Sequence, residues 1–476
     1  DEAIHEYNVA IDLDENFCDA IYNRGVTFSN QGLHEKAIED FNAAININCN
    51  TRFIFKRASS YEKLESFSKA LDDYSHIINS DSSKKDKGMA YCRRGILQNQ
   101  MDNLENGMPD IEMAINLQPD NAGFYNDYAN GLQKLNRNEE AIKFYKHAIE
   151  RDPKIYTAHV NLAYLELASH NYSSGWQLYE SRWKVQDLKL IPLVTKKPKL
   201  ENFEVKNKKI LIWGEQGIGD DIIHSTILPD ALKTDNEFIV VLDSRLLDLY
   251  KASFKDFKNV VFLDSADNED LYDYHLPFAS LGQFFRNSKQ DFLNQKIPLL
   301  EADKAYTKTL RNRINSGNKH ICGISWMSKN PKIGDSKSMR LEDFKSIFSL
   351  PGIDFVDLQY GDTKKEKKEL KDNFGFELIE MTDIDNFNDI GKLASLINAC
   401  DFVVTTSNVT AHLAGALNKK TYQILSYTEG RLWYWGINEN SSLWYPSIRL
   451  LRADNLKDWK TPIKNLVDSL SQEIKL

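Results

Sequence analysis

A small residue returns every 33 to 37 positions through the first third of the chain, and this rhythm limits what the chain can fold into. Each small anchor is an alanine or glycine, followed four positions later by an aromatic residue or isoleucine. A second small residue stands twelve positions before five of the anchors. The anchors are Ala3, Ala37, Ala70, Gly107, Ala141 and Gly175; their followers are Tyr7, Phe41, Tyr74, Ile111, Tyr145 and Tyr179; the preceding small residues are Gly25, Ala58, Gly95, Ala129 and Ala163. A period of this length predicts stacked helix pairs rather than a self-contained globule.

The small residues have a direct packing interpretation. Two helices approach closely only where side chains are small, so the anchors mark the crossing points and the aromatic rings fill the grooves between units. Pro119 and Pro153 stand 34 residues apart, each where a helix must end. The pattern opens inside a unit, and we therefore expect further repeats upstream.

Residues 121–153 resemble the tetratricopeptide repeat almost throughout their length. The third unit departs from that pattern, because Gly107 replaces alanine and the segment 80–86 lengthens the preceding turn. Repeat arrays of this kind present an extended concave surface to a partner. The resemblance therefore implies a protein or peptide partner held by the array, and the alternative is that the helices serve only as a spacer.

Composition narrows the class of protein. A chain of 476 residues suggests two to four domains, and a net charge of −9 disfavours nucleic acid as the main partner. The sequence contains no run of 18 apolar residues, so we predict no membrane span. The five cysteines are scattered without a CxxC motif, which argues against a zinc site or a disulfide framework and predicts a cytoplasmic location.

The second half of the sequence alternates short apolar runs with helical patterns, which predicts parallel α/β structure. The candidate strands are ILIW (210–213), FIVVLD (238–243), VVFLD (260–264), HICGISW (320–326), DFVDLQ (354–359), ELIEM (377–381), DFVVTTS (401–407) and TYQILS (421–426). Ligands of open α/β sheets bind at the carboxyl ends of strands. The loops after the first, fourth and seventh of these runs are therefore where chemistry is expected.

These patterns divide the chain into four parts. We predict a helical repeat array over residues 1–183 and a Lys- and Pro-rich linker over 184–208. Two Rossmann-like domains over 209–319 and 320–476 then face a common cleft. The fold class is thus an α-helical solenoid followed by an α/β region.

The first chemical loop, residues 214–221, is rich in glycine. Gly214, Gly217 and Gly219 allow the backbone to approach a ligand closely. Asp220 and Asp221 stand at the start of the following helix, where a carboxylate either caps the helix or faces the cleft as a general base. The alternative for the whole loop is a plain strand-to-helix turn, and for the nearby His224 a packed or surface position.

The second loop leads into a helix rich in small residues. Ser407 or Asn408 can cap that helix, so that Thr410, Ala411 and His412 offer backbone N–H groups to an anion. A helix N-terminus at the carboxyl end of a strand is suited to phosphate binding. The alternative is that the small residues only let the helix pack tightly on the sheet.

The third loop, residues 327–340, is polar and basic. Its cations are Lys329, Lys332, Lys337 and Arg340. Facing a helix N-terminus, they would clamp a diphosphate; otherwise the loop is simply exposed.

Three further residues, Tyr360, Asp389 and Tyr427, lie in candidate loops and are equally compatible with binding or structural roles. The aromatic run 433–435 could line a sugar site, although packing between domains is the favoured interpretation.

Segments 217–232 and 401–417 resemble the Gly-Asp loop and the donor phosphate loop of the heptosyltransferase family, a glycosyltransferase family with the GT-B fold. The resemblance covers residues 209–470. The closing stretch 443–459 is typical of bacterial proteins that join tetratricopeptide repeats to such a domain. The order of the two parts resembles protein O-linked N-acetylglucosamine transferases and repeat-bearing flagellin glycosyltransferases.

The resemblance implies a role for each candidate residue. Asp220 takes the position of the catalytic base, with Asp221 as its rival, and Lys337 that of the lysine that steadies the leaving diphosphate. It implies a metal-independent inverting sugar transfer, with a nucleotide sugar as co-substrate, no other cofactor and a protein acceptor recruited by the repeats. Ser407 stands where an aspartate is frequent in the family, which favours one alternative, a non-catalytic scaffold. Another alternative is a transferase of surface-glycan assembly.

Overall fold

The computed structural model describes residues 2–314, 317–331, 333–428, 430–455 and 458–473. Lys332, named above as a candidate cation, lies outside them. The chain divides into two compact units, Asp1–His159 and Val160–Leu476. None of the helices in the described ranges is both long and apolar enough to cross a bilayer.

The first unit is built from helices that pack in consecutive pairs. They are α1 (Glu2–Leu13), α2 (Cys18–Asn30), α3 (His34–Ile47), α4 (Thr51–Lys63), α5 (Phe67–Asn79), α6 (Lys84–Gln100), α7 (Leu104–Leu117), α8 (Ala122–Lys134) and α9 (Asn138–Arg151). The next helix, α10 (Tyr156–Ala168), contains the division between the units. The predicted series of helix pairs is therefore confirmed.

The small residues lie where the paired helices cross, as the sequence predicted. A Cβ atom added to Gly25 would stand 2.9 Å from Cε1 of Phe41, and one added to Gly95 would stand 2.5 Å from the carbonyl oxygen of Gly107. Ala37 and Phe41 are completely buried. Ala3 is the exception, because α1 buries none of its side chains.

A repeated ion pair, absent from the predictions, links the first three complete pairs. In each pair an arginine of the first helix holds an aspartate of the second by two hydrogen bonds, and the third guanidinium nitrogen donates to the preceding pair. The pairs are Arg24–Asp40, Arg57–Asp73 and Arg94–Asp110, and the extra acceptors are Asn8, Asn42 and Ser75. Each pair is a rung that joins three helices, and we call the three of them the Arg–Asp rungs.

The second unit begins with the last helix pair and a four-stranded parallel sheet. The strands are β1 (Lys209–Trp213), β2 (Glu237–Val241), β3 (Val260–Leu263) and β4 (Tyr274–Pro277), in the order β3-β2-β1-β4. The helices are α11 (Tyr172–Tyr179), α12 (Ile218–His224), α13 (Leu228–Ala231), α14 (Leu247–Ser253), α15 (Gly282–Phe285), α16 (Lys289–Leu293) and α17 (Lys304–Ile314). Strand β4 was not predicted, because its short sequence, YHLP, contains no apolar run.

A second parallel sheet follows. Its strands are β5 (His320–Ser325), β6 (Ile353–Asp357), β7 (Phe402–Thr405), β8 (Thr421–Leu425) and β9 (Ile448–Arg452), in the order β6-β5-β7-β8-β9. The helices are α18 (Lys345–Phe348), α19 (Lys364–Phe374), α20 (Ile390–Ala399), α21 (Val409–Ala416) and α22 (Lys460–Glu473). The prediction of a strand at 377–381 was wrong, because that segment contributes only an isolated bridge between Val356 and Ile379.

Each sheet has a point at which the direction of strand connection reverses. In the first sheet it lies between β1 and β4, and in the second between β5 and β7. Open α/β sheets bind ligands in the crevice outside the carboxyl ends of the strands at such a point. The three loops singled out from the sequence leave β1, β5 and β7, so they all start at these two points.

The last helix pair packs into the core of the α/β unit. Trp176 of α11 is buried, and its indole N–H donates to the carbonyl oxygen of Arg286 at 2.7 Å. A Cβ on Gly282 would stand 2.2 Å from the Trp176 ring, so a glycine is needed for this approach. Helix α11 and most of α10 therefore belong to the second unit, since the packing divides after His159.

Candidate functional site

A cleft opens between the carboxyl ends of the two sheets and encloses a cavity of about 320 Å³. Both sheets contribute to its lining. From the first come Gln216, Gly217, Ile218, Gly219, Asp220 and Arg245; from the second come Ser328, Lys329, Asn330, Ile333, Lys337, Tyr360, Asn386, Phe387, Ile390, Asn408, Val409, His412, Leu432 and Tyr434. The cavity therefore lies at the points where strand connection reverses in each sheet. All three predicted loops reach it.

Asp220 lines this cavity from the first turn of α12. Its Oδ2 accepts a hydrogen bond from the backbone N–H of Gly217 at 3.3 Å, so the carboxylate also caps the helix. Burial raises the pKa of Asp220 to about 6, while the Gly217 amide and the Lys337 ammonium oppose the rise. A carboxylate with a pKa near neutrality at a cavity wall is suited to accept a proton.

Asp221, the neighbouring carboxylate, faces away from the cavity. Its side chain lies beneath Gly214, where an added Cβ would stand 2.5 Å from Oδ1. Burial raises the pKa of Asp221 to about 8, which keeps it protonated at neutral pH. The missing side chain of Gly214 thus makes room for Asp221 and not for a ligand, and the geometry favours Asp220 as the residue that meets one.

Helices α12 and α21 meet at the floor of the cleft. A Cβ on Gly219 would stand 3.1 Å from Cδ2 of His412, so the glycine allows the two helices to approach. The His412 ring nitrogens lie 3.3 Å from the hydroxyl groups of Tyr434 and Tyr445, and the ring stacks on Trp435. Burial, and then the positive charge of Lys337, lowers the pKa of His412 to about 3. His412 is therefore a neutral part of the cavity wall.

Asn408 organises the start of α21. Its Oδ1 accepts from the backbone N–H of Ala411 at 3.3 Å, and its Nδ2 donates to Ser325 Oγ at 2.9 Å and to the Met327 carbonyl at 3.2 Å. The Ala411 amide, expected to meet an anion, is thus used by the cap. Asn408 itself lines the cavity and joins the loops that follow β5 and β7.

Three other predicted residues of this loop are buried behind the cavity wall. Ser407 accepts a hydrogen bond from the Trp435 indole at 2.9 Å. The hydroxyl of Thr410 lies 3.4 Å from that of Ser325, and Ala411 is completely buried. The loop brings Asn408, Val409 and His412 to the cavity and leaves the side chains of Ser407, Thr410 and Ala411 in the core.

Lys337 lies within the cleft with only 7 % of its surface exposed. Desolvation lowers its pKa, and the negative charge of Asp220 partly restores it. Across the described ranges, no carboxylate pairs with its ammonium group. Lys329 also lines the cavity, whereas Arg340 pairs with Glu342 and Asp343 away from it.

Gln359, which the sequence analysis did not single out, sets the course of the basic loop. Its buried Oε1 accepts from Ser325 Oγ and from the backbone N–H groups of Trp326 and Met327, at 2.8 to 2.9 Å. Its Nε2 donates to the carbonyl of Tyr360 at 3.1 Å. The signal for it in the sequence is weak: Gln359 is the last, polar residue of the predicted strand 354–359.

Of the remaining candidate residues, some line the cavity and others have structural roles away from it. Tyr360 and Tyr434 line the cavity, while Trp433 packs on Trp176 with ring centroids 5.4 Å apart. Asp389 caps α20 by accepting from the Lys392 amide at 3.2 Å. Where the chain is described, no three His, Cys, Asp or Glu side chains group as a metal site would require.

Comparison with known proteins identifies the repeats. The family model "Tetratricopeptide repeat" matches residues 19–50 and 122–155. Protein FlbA of Caulobacter vibrioides is 25% identical over 334 residues, which cover 64% of this chain and 53% of that protein. The tetratricopeptide repeat protein 36 homolog of Drosophila pseudoobscura pseudoobscura is 29% identical over 96 residues, 20% of this chain and 52% of that protein.

Among solved structures, the crystal structure of MamA shares 20% identity and covers 32% of this chain and 87% of that chain, with a TM-score of 0.29. A TM-score this low carries nothing about function. The chain spans about half the length of the curated relatives it matches. It contains tetratricopeptide repeats followed by a parallel-sheet α/β region, and the repeats indicate a role in binding protein or peptide partners.

Proposed function

We propose that the α/β region is a GT-B glycosyltransferase that moves a sugar from a nucleotide-sugar donor to an acceptor hydroxyl. The acceptor is a protein side chain recruited by the repeats. One observation carries the proposal: a single cavity, at the carboxyl ends of two parallel sheets, holds a carboxylate with a raised pKa opposite a buried lysine that has no carboxylate partner among the described residues. The resemblance of residues 209–470 to the heptosyltransferase family supports it.

In the proposed reaction the acceptor oxygen attacks the anomeric carbon. Asp220 takes the hydroxyl proton as the new C–O bond forms, and the bond from the anomeric carbon to the diphosphate oxygen breaks with its electron pair. A single displacement of this kind inverts the anomeric centre. Because burial raises the pKa of Asp220 to about 6, the carboxylate is ionised at neutral pH yet basic enough to share the proton.

The leaving diphosphate gains negative charge, which a fixed cation stabilises. Lys337 supplies that cation without a metal ion. Its ammonium is already desolvated and lacks a carboxylate partner among the described residues, so it loses little on meeting a phosphate oxygen. Lys329, at the same cavity, adds a second positive charge.

Nucleotide binding tests the donor site first. We expect UDP, GDP, ADP or CMP, or the corresponding nucleotide sugars, to raise the melting temperature by about 5 °C at a hundredfold excess over Kd. Lys337→Met should abolish the shift, and Lys365→Met, at a lysine whose side chain is 88% exposed, should not. If no nucleotide stabilises the protein, the transferase proposal fails and the scaffold alternative stands.

The rate of sugar transfer then tests whether Asp220 is the catalytic base. With the stabilising nucleotide sugar and a protein acceptor, Asp220→Asn should lower kcat by about 10²- to 10⁴-fold while nucleotide binding is retained. Asp235→Asn, at an exposed carboxylate that pairs with Lys206, serves as the matched control. An Asp220→Asn enzyme with an unchanged rate would remove Asp220 from the mechanism.

A further inference from the structure

The segment that ends the last helix pair carries a buried arginine that belongs to the glycine-rich loop. Arg182 lies in the 3₁₀ segment Glu180–Lys184, and its side chain has no exposed surface. A buried guanidinium is costly unless its charge and donors are satisfied. The contacts that satisfy it therefore show what this segment is built to hold.

All five N–H groups of Arg182 are used. Nε and Nη2 donate to the two carboxylate oxygens of Glu215, at 2.6 and 3.0 Å. Nη1 donates to Glu180 Oε1 at 2.8 Å and to the Tyr179 carbonyl at 3.2 Å, and Nη2 donates also to Ser280 Oγ at 2.9 Å. Because a guanidinium has five donors in a fixed plane, this set defines its position completely.

Glu215 is the link to the candidate site. It belongs to the loop between β1 and α12, immediately before Gln216 and Gly217, which line the cavity. Its Oε1 also accepts from the Ala279 amide at 3.1 Å, after β4. Arg182 and Glu215 therefore tie three segments together behind the loop: the end of the last helix pair, the glycine-rich loop and the turn after β4.

Directly after Glu215, at the exposed Gln216 and Gly217, the loop has few other side-chain restraints. Among the described residues, none would crowd a Cβ added to Gly217, and its amide donates to the Asp220 carboxylate. The direction of Asp220 therefore depends on the path of the backbone from Glu215 to Gly217. The charge of Glu215 also contributes to the raised pKa of Asp220.

We propose that Arg182 is a positioning residue: through its two-point contact with Glu215 it fixes the glycine-rich loop so that Asp220 faces the cavity. The end of the helical repeats then supports the site and is more than a spacer. The effect on transfer rests on the proposed function, whereas the effect on the loop does not.

The test replaces the charges as a pair, because Arg182→Met alone leaves Glu215 buried and unpaired and risks misfolding. Arg182→Met/Glu215→Met removes both charges with apolar side chains of similar length, which we expect to keep the melting temperature close to that of the native protein. The matched control is Arg286→Met/Asp230→Met, in which a buried arginine of the same unit pairs with a partly buried carboxylate away from the loop.

Hydrogen exchange of peptides covering 214–221 is the first readout and needs no activity. The Arg182/Glu215 variant should exchange about tenfold faster there, and the Arg286/Asp230 variant should not. Equal exchange in a folded Arg182/Glu215 variant overturns the proposal. If the native protein transfers no sugar, the proposed function fails and hydrogen exchange alone decides the role of Arg182.

Kinetics are the second readout. The Arg182/Glu215 variant should lose about 10²-fold in kcat with an unchanged donor KM, because a displaced base costs turnover rather than binding. Without the Glu215 charge, the pKa of Asp220 falls and the acid limb of the pH–rate profile moves to lower pH. The single variant Arg182→Lys keeps the positive charge but offers three N–H donors. It should therefore retain part of the turnover that the double variant loses. A native rate and profile in the folded double variant would refute the positioning role.

Discussion

The first complete helix pairs of the array and its last helix pair use the same repeat position differently. In three successive pairs this position holds an Arg–Asp rung, at 24/40, 57/73 and 94/110. One repeat later the equivalent residues are Tyr128 and Phe144, whose rings lie 4.6 Å apart, and one repeat after that they are Leu162 and Leu178. The distance along the sequence between the two positions is the same in every pair, whereas their side chains change from an ion pair to aromatic and then aliphatic residues.

The difference shows what each pair packs against. A rung joins its own two helices and donates to the preceding pair, so the first pairs are stabilised by their nearest neighbours, as in other repeat arrays. The last pair is instead stabilised by the α/β core, through the Trp176 side chain and the buried Arg182. One repeat pattern therefore serves two kinds of packing.

The largest expected effect is at the last pair. Trp176→Ala should lower the free energy of unfolding of the α/β unit by about 3–5 kcal/mol, because it leaves a large cavity and an unpaired carbonyl at Arg286. Urea unfolding measures it, with Leu293→Ala, at a residue of the same unit that is 68% exposed, as the control. A loss below about 1 kcal/mol would mean that the last pair is only another repeat.

Breaking one Arg–Asp rung should give the next largest loss of stability. Arg57→Met leaves Asp73 largely buried without its partner, and should cost about 2 kcal/mol in urea unfolding. Arg57→Met/Asp73→Leu should recover most of that loss, because neither charge remains. Arg137→Met, which breaks an exposed ion pair with Glu140, should change stability far less. Equal losses for Arg57→Met and Arg137→Met would contradict the assignment of the rungs as stabilising links.

The α/β unit should also respond to pH through Asp221. Burial raises the pKa of this carboxyl from 3.8 to about 8, so the folded state holds a proton that the unfolded state has lost. Stability therefore falls as pH rises, by at most about 1.4 kcal/mol per pH unit.

The cleanest window is pH 6.5 to 8. Below it the buried His224 and His412, whose pKa values burial lowers to about 3, act with the opposite sign. Urea unfolding across this window should show the decline in the native protein, and Asp221→Asn should flatten it. A native stability that rises between pH 6.5 and 8 would contradict the burial of a protonated Asp221.

Glycine substitutions should have the smallest effects and opposite signs. Gly391, near the start of α20, has open space around a new Cβ, so Gly391→Ala should raise the free energy of unfolding by about 0.5 kcal/mol. Gly25→Ala should lower it, because the new Cβ would stand 2.9 Å from the Phe41 ring. Thermal unfolding of both variants provides the check, and a stabilising Gly25→Ala would contradict the tight helix crossing.

Much of the fold was predictable because it rests on local periodicity. The runs that became β1, β5 and β7 are mostly apolar, and these strands, like β8, are buried along almost their whole length, as is typical of parallel strands covered on both faces. Strand β4 is short and partly polar and was missed. The segment 377–381 is rich in apolar residues but forms only one isolated bridge, between Val356 and Ile379.

The candidate site was predictable only in outline. The rule that loops at the carboxyl ends of strands carry chemistry located the three loops that reach the cavity. It could not choose between Asp220 and Asp221, since consecutive residues of a helix point about 100° apart and only packing decides which one faces the cleft. Nor could it identify Gln359, whose role depends on contacts with a strand more than thirty residues away.

The sequence by itself determined that this protein begins with stacked helix pairs and continues with parallel sheets, because both follow from spacings repeated along neighbouring residues. Tertiary structure alone decided that the last pair packs with the sheets, that Arg182 meets Glu215 33 residues later, and that Asp220 rather than Asp221 lines the cavity. Such contacts depend on which surfaces are brought together in space, and no local pattern records that choice.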